Sequence, residues 1–302
     1  MERIKNAIST IYYYSHQYWI DICDPRTKGL WLIGGGPIDL LAILIPWFLF
    51  VKYFGPRFMK NRKPYVLRGP MLVYNAFMVI TNAYFWWFIL TAEDAYPRLL
   101  DFKFPDPNDR SPRALREIQF GHWVYLTRFM DLLDTIFFVL RKKFNQITFL
   151  HLYHHTIVPI LAFFCMKIAP LAPVIGVFLI FNTFIHSIMY LYYFLSAFGP
   201  TVQKYLWWKK YITQLQLVQF ATCFCYGVVM VFLQEGFPPG LFWLGFFQNP
   251  FFFYMFYDFY RKSYHKNHQK DKINYQNDKK SQMKPKVTIK LTKLVLTLLY
   301  FN

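Results

Sequence analysis

Three histidines, His151, His154 and His155, fall within HLYHH, in a run that is otherwise apolar, with ITFL before it and IVPILAFFC after it. Imidazole attacks thioesters, carries protons and ligates metals. A cluster of this kind can therefore transfer an acyl group, relay protons or hold a metal. A fourth histidine, His186, follows Asn182 at i+4 in NTFIHSIMYLYY. On a helix, positions i, i+3 and i+4 share a face, so His151, His154 and His155 look one way and Asn182 and His186 another. Arg128, Asp131 and Asp134 stand at i, i+3 and i+6, and Thr213, Gln216 and Gln219 repeat that spacing. Polar groups in apolar helices also hydrogen-bond helices together, and Asn182, Gln216 and Gln219 taken singly fit that role. Packing rarely asks for three histidines on one face with a fourth on the next segment, whereas ionisable groups at membrane depth mark functional sites.

The elements that must position these groups are membrane helices. Of 302 residues, 55% are hydrophobic, 22% aromatic and 17% charged, against roughly 25% charged in soluble domains. A span needs about 20 mainly apolar residues. Seven stretches qualify, near 31–54, 70–92, 117–140, 147–166, 171–195, 211–233 and 239–260. The expected fold is an all-α polytopic membrane protein of one domain, 1–265, followed by a basic, largely disordered tail, 266–302, whose apolar run 294–301 is too short to span. No cleavable signal peptide opens the chain, so the first span itself directs insertion. The four cysteines suggest no disulfide framework, and Cys223 with Cys225 lacks the partner pair a zinc site needs.

The net charge of +18 does not point to nucleic acid, because the basic residues sit between apolar runs. Lys and Arg crowd the connections 52–68, 141–146 and 197–210 and the tail, and thin out in the alternate loops. The positive-inside rule then places the tail in the cytosol and the amino terminus in the lumen. In that orientation the histidines, Asn182, Gln216, Arg128, Asp131 and Asp134 all lie toward the cytosolic side, and the opposite halves carry Phe, Trp, Leu and Ile. A cavity polar toward the cytosol and greasy and closed toward the lumen suits a ligand with an anionic head and a long apolar tail. An acyl-CoA has that form, with its phosphates on the basic rim.

Taken in order, the segments resemble the ELO family of very-long-chain fatty acid elongases. KNRKPYVLRGPMLVYN at 60–75 and RFMDLLDTIFFVLRKK at 128–143 resemble its first loop and its K-x-x-E-x-x-D-T motif. HLYHH matches its histidine box, NTFIHSIMYLYY its N-x-x-x-H-x-x-M-Y-x-Y-Y and TQLQLVQF its T-x-x-Q-x-x-Q-F, and FYRKSY at 259–264 is similar to its last signature. Arg128 stands where the family usually has Lys, Asp131 where it often has Glu, and the chain ends LLYFN rather than in the family's frequent di-lysine signal.

The resemblance implies seven transmembrane helices, six of them forming a barrel around a long closed-end tunnel, in the endoplasmic reticulum membrane. It implies condensation of acyl-CoA with malonyl-CoA to a 3-oxoacyl-CoA, with loss of CO₂ and CoA, through an acyl-imidazole. His154 takes the acyl group, His186 is the second catalytic group, and His151 and His155 orient neighbours or move protons. Asn182 and Gln216 donate to the developing oxyanion, supported by Arg128, Asp131, Asp134 and Tyr190. Arg68, Arg141, Lys142, Lys143, Lys209 and Lys210 grip CoA phosphates. No cofactor or metal is implied. The partners implied are the two substrates, the bilayer, the reductases and dehydratase of the cycle, and a second copy of the chain.

Two rival readings remain. Membrane di-iron desaturases and hydroxylases also use H-x-x-H-H, although they draw on several such boxes and this chain has one full box. A seven-helix receptor or transporter fits the span count and leaves the histidines unexplained.

Overall fold

The structure is a computed structural model that describes residues 1–93 and 95–265. The tail 266–302, with its apolar run 294–301, lies outside the described residues. Among the described residues every regular element is a helix, and the only strand-like pairing is an isolated bridge between Lys103 and Glu235. The main helices are α1 (Glu2–Tyr12), α2 (Ile38–Met59), α3 (Arg68–Thr91), α4 (Pro112–Met130), α5 (Leu132–Leu140), α6 (Phe149–Ile168), α7 (Pro173–Ser196), α8 (Lys209–Leu233) and α9 (Pro239–Tyr260). Five of these, α2, α3, α6, α7 and α8, are long and apolar enough to cross a membrane. This is a multi-pass membrane protein. Its outer face agrees, since large apolar side chains stand exposed along these helices, Trp87 at 63% and Phe232 at 80%.

Two of the seven expected spans differ in character from the other five. The stretch 117–140 is not one helix but α4 and α5, joined at Asp131. There the Asp131 N–H still reaches Thr127 O at 3.1 Å, but the Asp134 N–H turns to Asp131 O at 3.2 Å. The ladder tightens to an i→i+3 bond where the Asp131 side chain is drawn to its partners. Gln248, Asn249 and Pro250 interrupt the apolar run of α9, which is nevertheless continuous from Pro239 to Tyr260.

Local sequence sets where the key helices begin. Thr148 caps α6, its Oγ1 accepting the His151 N–H at 3.2 Å, and this places all three histidines in the first two turns. Ser111 caps α4 through the Ala114 N–H at 3.2 Å, with Pro112 at the first helical position. After α7 the chain turns at Gly199, whose φ of 97° suits glycine.

Packing between helices follows from five apolar clusters. Leu40, Leu44 and Trp47 of α2 pack on Ile118 and Tyr125 of α4, Leu132 and Val139 of α5, and Phe163 of α6. The Trp47 indole also donates to Leu132 O at 3.1 Å. α3 meets α4 through Phe88 stacked on Phe120, ring centroids 4.1 Å apart. α3 runs along α7, α7 along α8, and α4 along α6. α6, α8 and α9 join through Tyr153, Phe220, Phe252 and Met255. Away from the histidines, the connection before α4 is sewn to the one between α8 and α9 by backbone bonds, Phe104 N to Glu235 O at 2.8 Å and Glu235 N to Phe102 O at 3.0 Å.

The chain forms two compact units, Met1–Phe256 and Tyr257–Asn302. The described part of the second holds the end of α9 and one wider turn, Arg261–His265. In it Asp258 pairs with Arg261 and Lys262.

Candidate active site

α6 brings the three histidines to one place, as their spacing predicts. The His151 and His155 rings lie 4.2 Å apart, and those of His154 and His155 5.2 Å apart. His186 of α7 faces His154 with ring centroids at 6.4 Å and planes 29° apart. Phe252 of α9 sets its edge against His154 at 5.8 Å. His151 is held from α5, where its Nε2 and Thr135 Oγ1 are 2.7 Å apart. His186 Nδ1 is buried and has no hydrogen-bond partner among the described residues.

Beside the histidines lies a buried polar network. Arg128 and Asp131 pair at 3.1 Å, both side chains 5% exposed. Arg128 Nη1 also reaches Asn182 Oδ1 at 3.4 Å, and Nη2 reaches Thr127 Oγ1 at 3.1 Å. The Tyr190 hydroxyl lies 2.8 Å from Asp131 Oδ1 and 2.8 Å from Asp134 Oδ2, so its single proton serves one carboxylate at a time. Tyr74 of α3 joins this hydroxyl at 3.2 Å and donates to Met130 O at 3.2 Å.

His154, His186, Asn182, Gln216 and Arg128 border one cavity of about 580 Å³. That size lies within the range of roughly 300–1,000 Å³ that holds small-molecule ligands. Along α6 the cavity runs from His154 to Met166, about 18 Å at 1.5 Å per residue. Its middle is apolar, with Phe88, Phe120, Val158, Leu179 and Phe246 among the lining. The far end is not wholly greasy, as expected from sequence, but charged. Arg98 forms an ion pair with Glu117, Arg113 approaches Glu117 at 3.8 Å, and all three border the cavity. The reason is local. The first turns of α4 and the loop before it border that end, and both are polar. The Asp109 carboxylate there accepts the Ser111 N–H at 2.8 Å, which holds its carboxyl below the usual carboxylate range.

Of the sequence-predicted site residues, His151, His155, Asp131, Asp134 and Tyr190 stand behind this wall: His155 contacts His154, Asp131 pairs with Arg128 and the Tyr190 ring lies 6.0 Å from the His186 ring, while His151 packs on His155 and Asp134 bonds Tyr190. The basic residues assigned to CoA do not border the cavity. Arg68 donates to Phe198 O at 3.2 Å, Lys142 to Lys60 O at 3.2 Å, and Lys209 lies 5.9 Å from the Tyr192 ring. Arg141 is partly exposed and Lys143 exposed; Lys210 lies 4.9 Å from the Tyr211 ring. The sequence reading missed the roles of Thr135, Thr127 and Tyr74. Thr135 stands one helical turn from Asp131 and Thr127 directly before Arg128, a signal that spacing could have given; Tyr74 gave none. Among the described residues, no three His, Cys, Asp or Glu side chains come together in the arrangement of a metal site.

The profile of the ELO, GNS1/SUR4 family matches residues 36–272. A very long chain fatty acid elongase of Aedes aegypti is 34% identical over 270 residues, 87% of this chain and 72% of that protein. Very long chain fatty acid elongase 7 of Drosophila melanogaster is 36% identical over 262 residues, covering 85% of this chain and 78% of the fly protein. Human very long chain fatty acid elongase 1 is 44% identical over 201 residues, 65% and 70% of the two chains.

Proposed function

The chain belongs to the ELO family of very-long-chain fatty acid elongases, and from that premise we propose that it catalyses the condensing step of elongation. It joins an acyl-CoA to malonyl-CoA and yields a 3-oxoacyl-CoA two carbons longer, CO₂ and CoA. As such it is an acyltransferase of the 3-oxoacyl-CoA synthase class and needs no cofactor beyond its two substrates. The observation that carries this reading is the stacked pair His154 and His186 on the wall of a long, largely apolar cavity. An extended chain advances about 1.3 Å per C–C bond of ~1.52 Å. The stretch beside α6 therefore suits an acyl tail of on the order of a dozen methylenes.

The architecture proposed is a ring of α3, α4 with α5, α6, α9, α8 and α7, with α2 packed outside it, giving seven spans around a closed-end tunnel. The pairwise packing of these helices supports that order. The amino terminus is lumenal and the tail cytosolic, in the endoplasmic reticulum membrane. Residues 1–265 form the catalytic domain. CoA rests against the cytosolic rim that carries Arg68, Arg141, Lys142, Lys143, Lys209 and Lys210. The product passes to the reductases and dehydratase of the cycle, and the enzyme works as a homo-oligomer.

In the first half-reaction an imidazole nitrogen of His154 attacks the thioester carbon. The C–S bond breaks, CoA leaves as the thiolate, and the ring N–H proton neutralises it. Asn182 and Gln216 donate to the tetrahedral oxyanion. His151, fixed by Thr135, and His155, against both other box rings, hold His154 in place. In the second half-reaction malonyl-CoA loses CO₂ and its enolate carbon takes the acyl group from the ring. A proton from solvent returns the ring to its neutral form.

The test uses purified protein. Acyl-CoA alone should release CoA in a burst of up to one equivalent, and His154→Ala should abolish both burst and elongation while remaining monodisperse. A folded His154→Ala enzyme with normal rate refutes the role.

A further inference from the structure

We rest on this condensation reading and start from Arg128, which keeps donors that no described residue uses. The residue is 4% exposed and borders the cavity with His154, His186 and Asn182. A guanidinium carries five N–H donors. Nη1 is engaged by Asp131 and Asn182 and one N–H of Nη2 by Thr127, while Nε is buried without a partner among the described residues. A buried cationic donor left unpaired is costly. Its persistence at a cavity wall is accounted for by an acceptor that arrives with the ligand. The contact to Asn182 adds a second point. With Asn182 Oδ1 turned to Arg128, its amide nitrogen is left to donate elsewhere.

Two acceptors on malonyl-CoA could meet Nε, the free carboxylate and the thioester oxygen. The chemistry separates them. In decarboxylation the bond between the α-carbon and the carboxylate breaks. Its electron pair passes to the α-carbon and onto the thioester oxygen, and the carboxylate leaves as neutral CO₂. A cation on the carboxylate stabilises the state being left, whereas one at the thioester oxygen stabilises the state being formed. With Nη1 committed to Asp131 and Asn182 an end-on carboxylate is disfavoured, and a side-on one across Nε and Nη2 is told apart from the thioester oxygen by the split between KM and kcat.

We propose that Arg128 is a catalytic residue of the second half-reaction, its Nε–H donating to the thioester oxygen of malonyl-CoA as that oxygen becomes the enolate. Asp131 and Thr127 fix the guanidinium for this purpose. The enolate carbon then attacks the acyl carbon on His154, the C–N bond breaks, and the ring takes a proton from water.

The experiment compares wild type with Arg128→Gln, Arg128→Lys and the double variant Arg128→Met with Asp131→Asn. The double variant removes both charges of the pair and so leaves no buried carboxylate uncompensated. Each is measured for the CoA burst with acyl-CoA alone and for steady-state elongation with malonyl-CoA. The expected result is a burst that reaches wild-type amplitude in every variant, its rate slowed by less than about tenfold where Asn182 loses its Arg128 contact. The kcat for elongation falls roughly 100- to 1,000-fold in Arg128→Gln and in the double variant, the KM for malonyl-CoA stays within about threefold, and Arg128→Lys recovers part of the rate. A merely structural role would not separate the two half-reactions. A KM raised by that factor with kcat retained assigns Arg128 to the carboxylate and overturns the proposal, as does loss of the burst or an unchanged rate. If wild type itself gives neither burst nor elongation, the condensation reading fails and takes this proposal with it.

Discussion

Replacing Tyr190 with Phe removes one oxygen and leaves the ring, so no cavity forms and the change reads polar contacts alone. That oxygen is 1% exposed as part of its residue and touches Asp131 Oδ1 and Asp134 Oδ2, each at 2.8 Å, and the Tyr74 hydroxyl at 3.2 Å. It thus ties α7 to the α4–α5 junction, to α5 and to α3. Polar contacts between membrane helices average about 0.6 kcal/mol and reach about 1.7. The hydroxyl proton goes to one carboxylate at a time, a contact at the strong end of that range, and with an average contact to Tyr74 the loss for Tyr190→Phe comes to about 2 kcal/mol. Tyr74→Phe loses that weaker hydroxyl pair and a donation to Met130 O, and should cost about 1 kcal/mol. The assay is unfolding in mixed micelles titrated with SDS, with loss of helical signal as readout. A Tyr190→Phe cost below about 1 kcal/mol, or a Tyr74→Phe cost equal to it, refutes the hydroxyl as the point that ties these helices.

Thr135→Val keeps the shape of a fully buried side chain and removes the hydroxyl 2.7 Å from His151 Nε2. A net loss of about 1–1.5 kcal/mol should slow elongation roughly 5- to 10-fold with little change in melting, and a rate within twofold of wild type rejects the contact as a positioning one. Gly227→Ala places a Cβ 2.8 Å from Phe246 Cδ2, and both residues border the cavity. Phe246 must turn, and a ladder of acyl-CoAs should show the preferred chain length shortened. Gly121→Ala meets only Met166 Sδ, at 3.0 Å, a flexible neighbour, and should shift it less; an identical profile in Gly227→Ala counts against the cavity as the acyl site.

Much of this site could be read from spacing because the first two turns of α6 need only a cap and a period. Thr148 before the box and histidines at i, i+3 and i+4 are sufficient to place the three rings together. His186 and Asn182 were legible for the same reason. Other features depend on how a helix is rotated against its neighbours, which period alone does not fix. Tyr74 sits on α3, in a stretch with no other chemistry-bearing group beside it but Asn75, and it enters the network only because α3 lies against α7. The tightened turn at Asp131 is similarly a tertiary effect, since Arg128, Tyr190 and the backbone all compete for that residue. The charged far end was missed because the apolar halves of the spans were taken to run to the end of the cavity. Arg113 belongs by the sequence reading to a loop and Glu117 to the first residue of the span 117–140, and by structure both belong to the cavity wall.

The polar layer is better understood as fixing positions than as adding stability. A buried ion pair such as Arg128 with Asp131 roughly breaks even against apolar side chains of the same volume, and removing one partner is far costlier than never having had either. The network is also not closed on itself, because Arg128 Nε and His186 Nδ1, on residues that border the cavity, are both buried and without a partner among the described residues. A network selected for holding helices together would satisfy its own atoms, as Tyr190, Asp131 and Asp134 do on the far side of the wall. The asymmetry therefore separates two roles by position. Groups behind the wall are paired and orient their neighbours, while groups on it keep donors and ring nitrogens open for a ligand whose charge moves as it reacts.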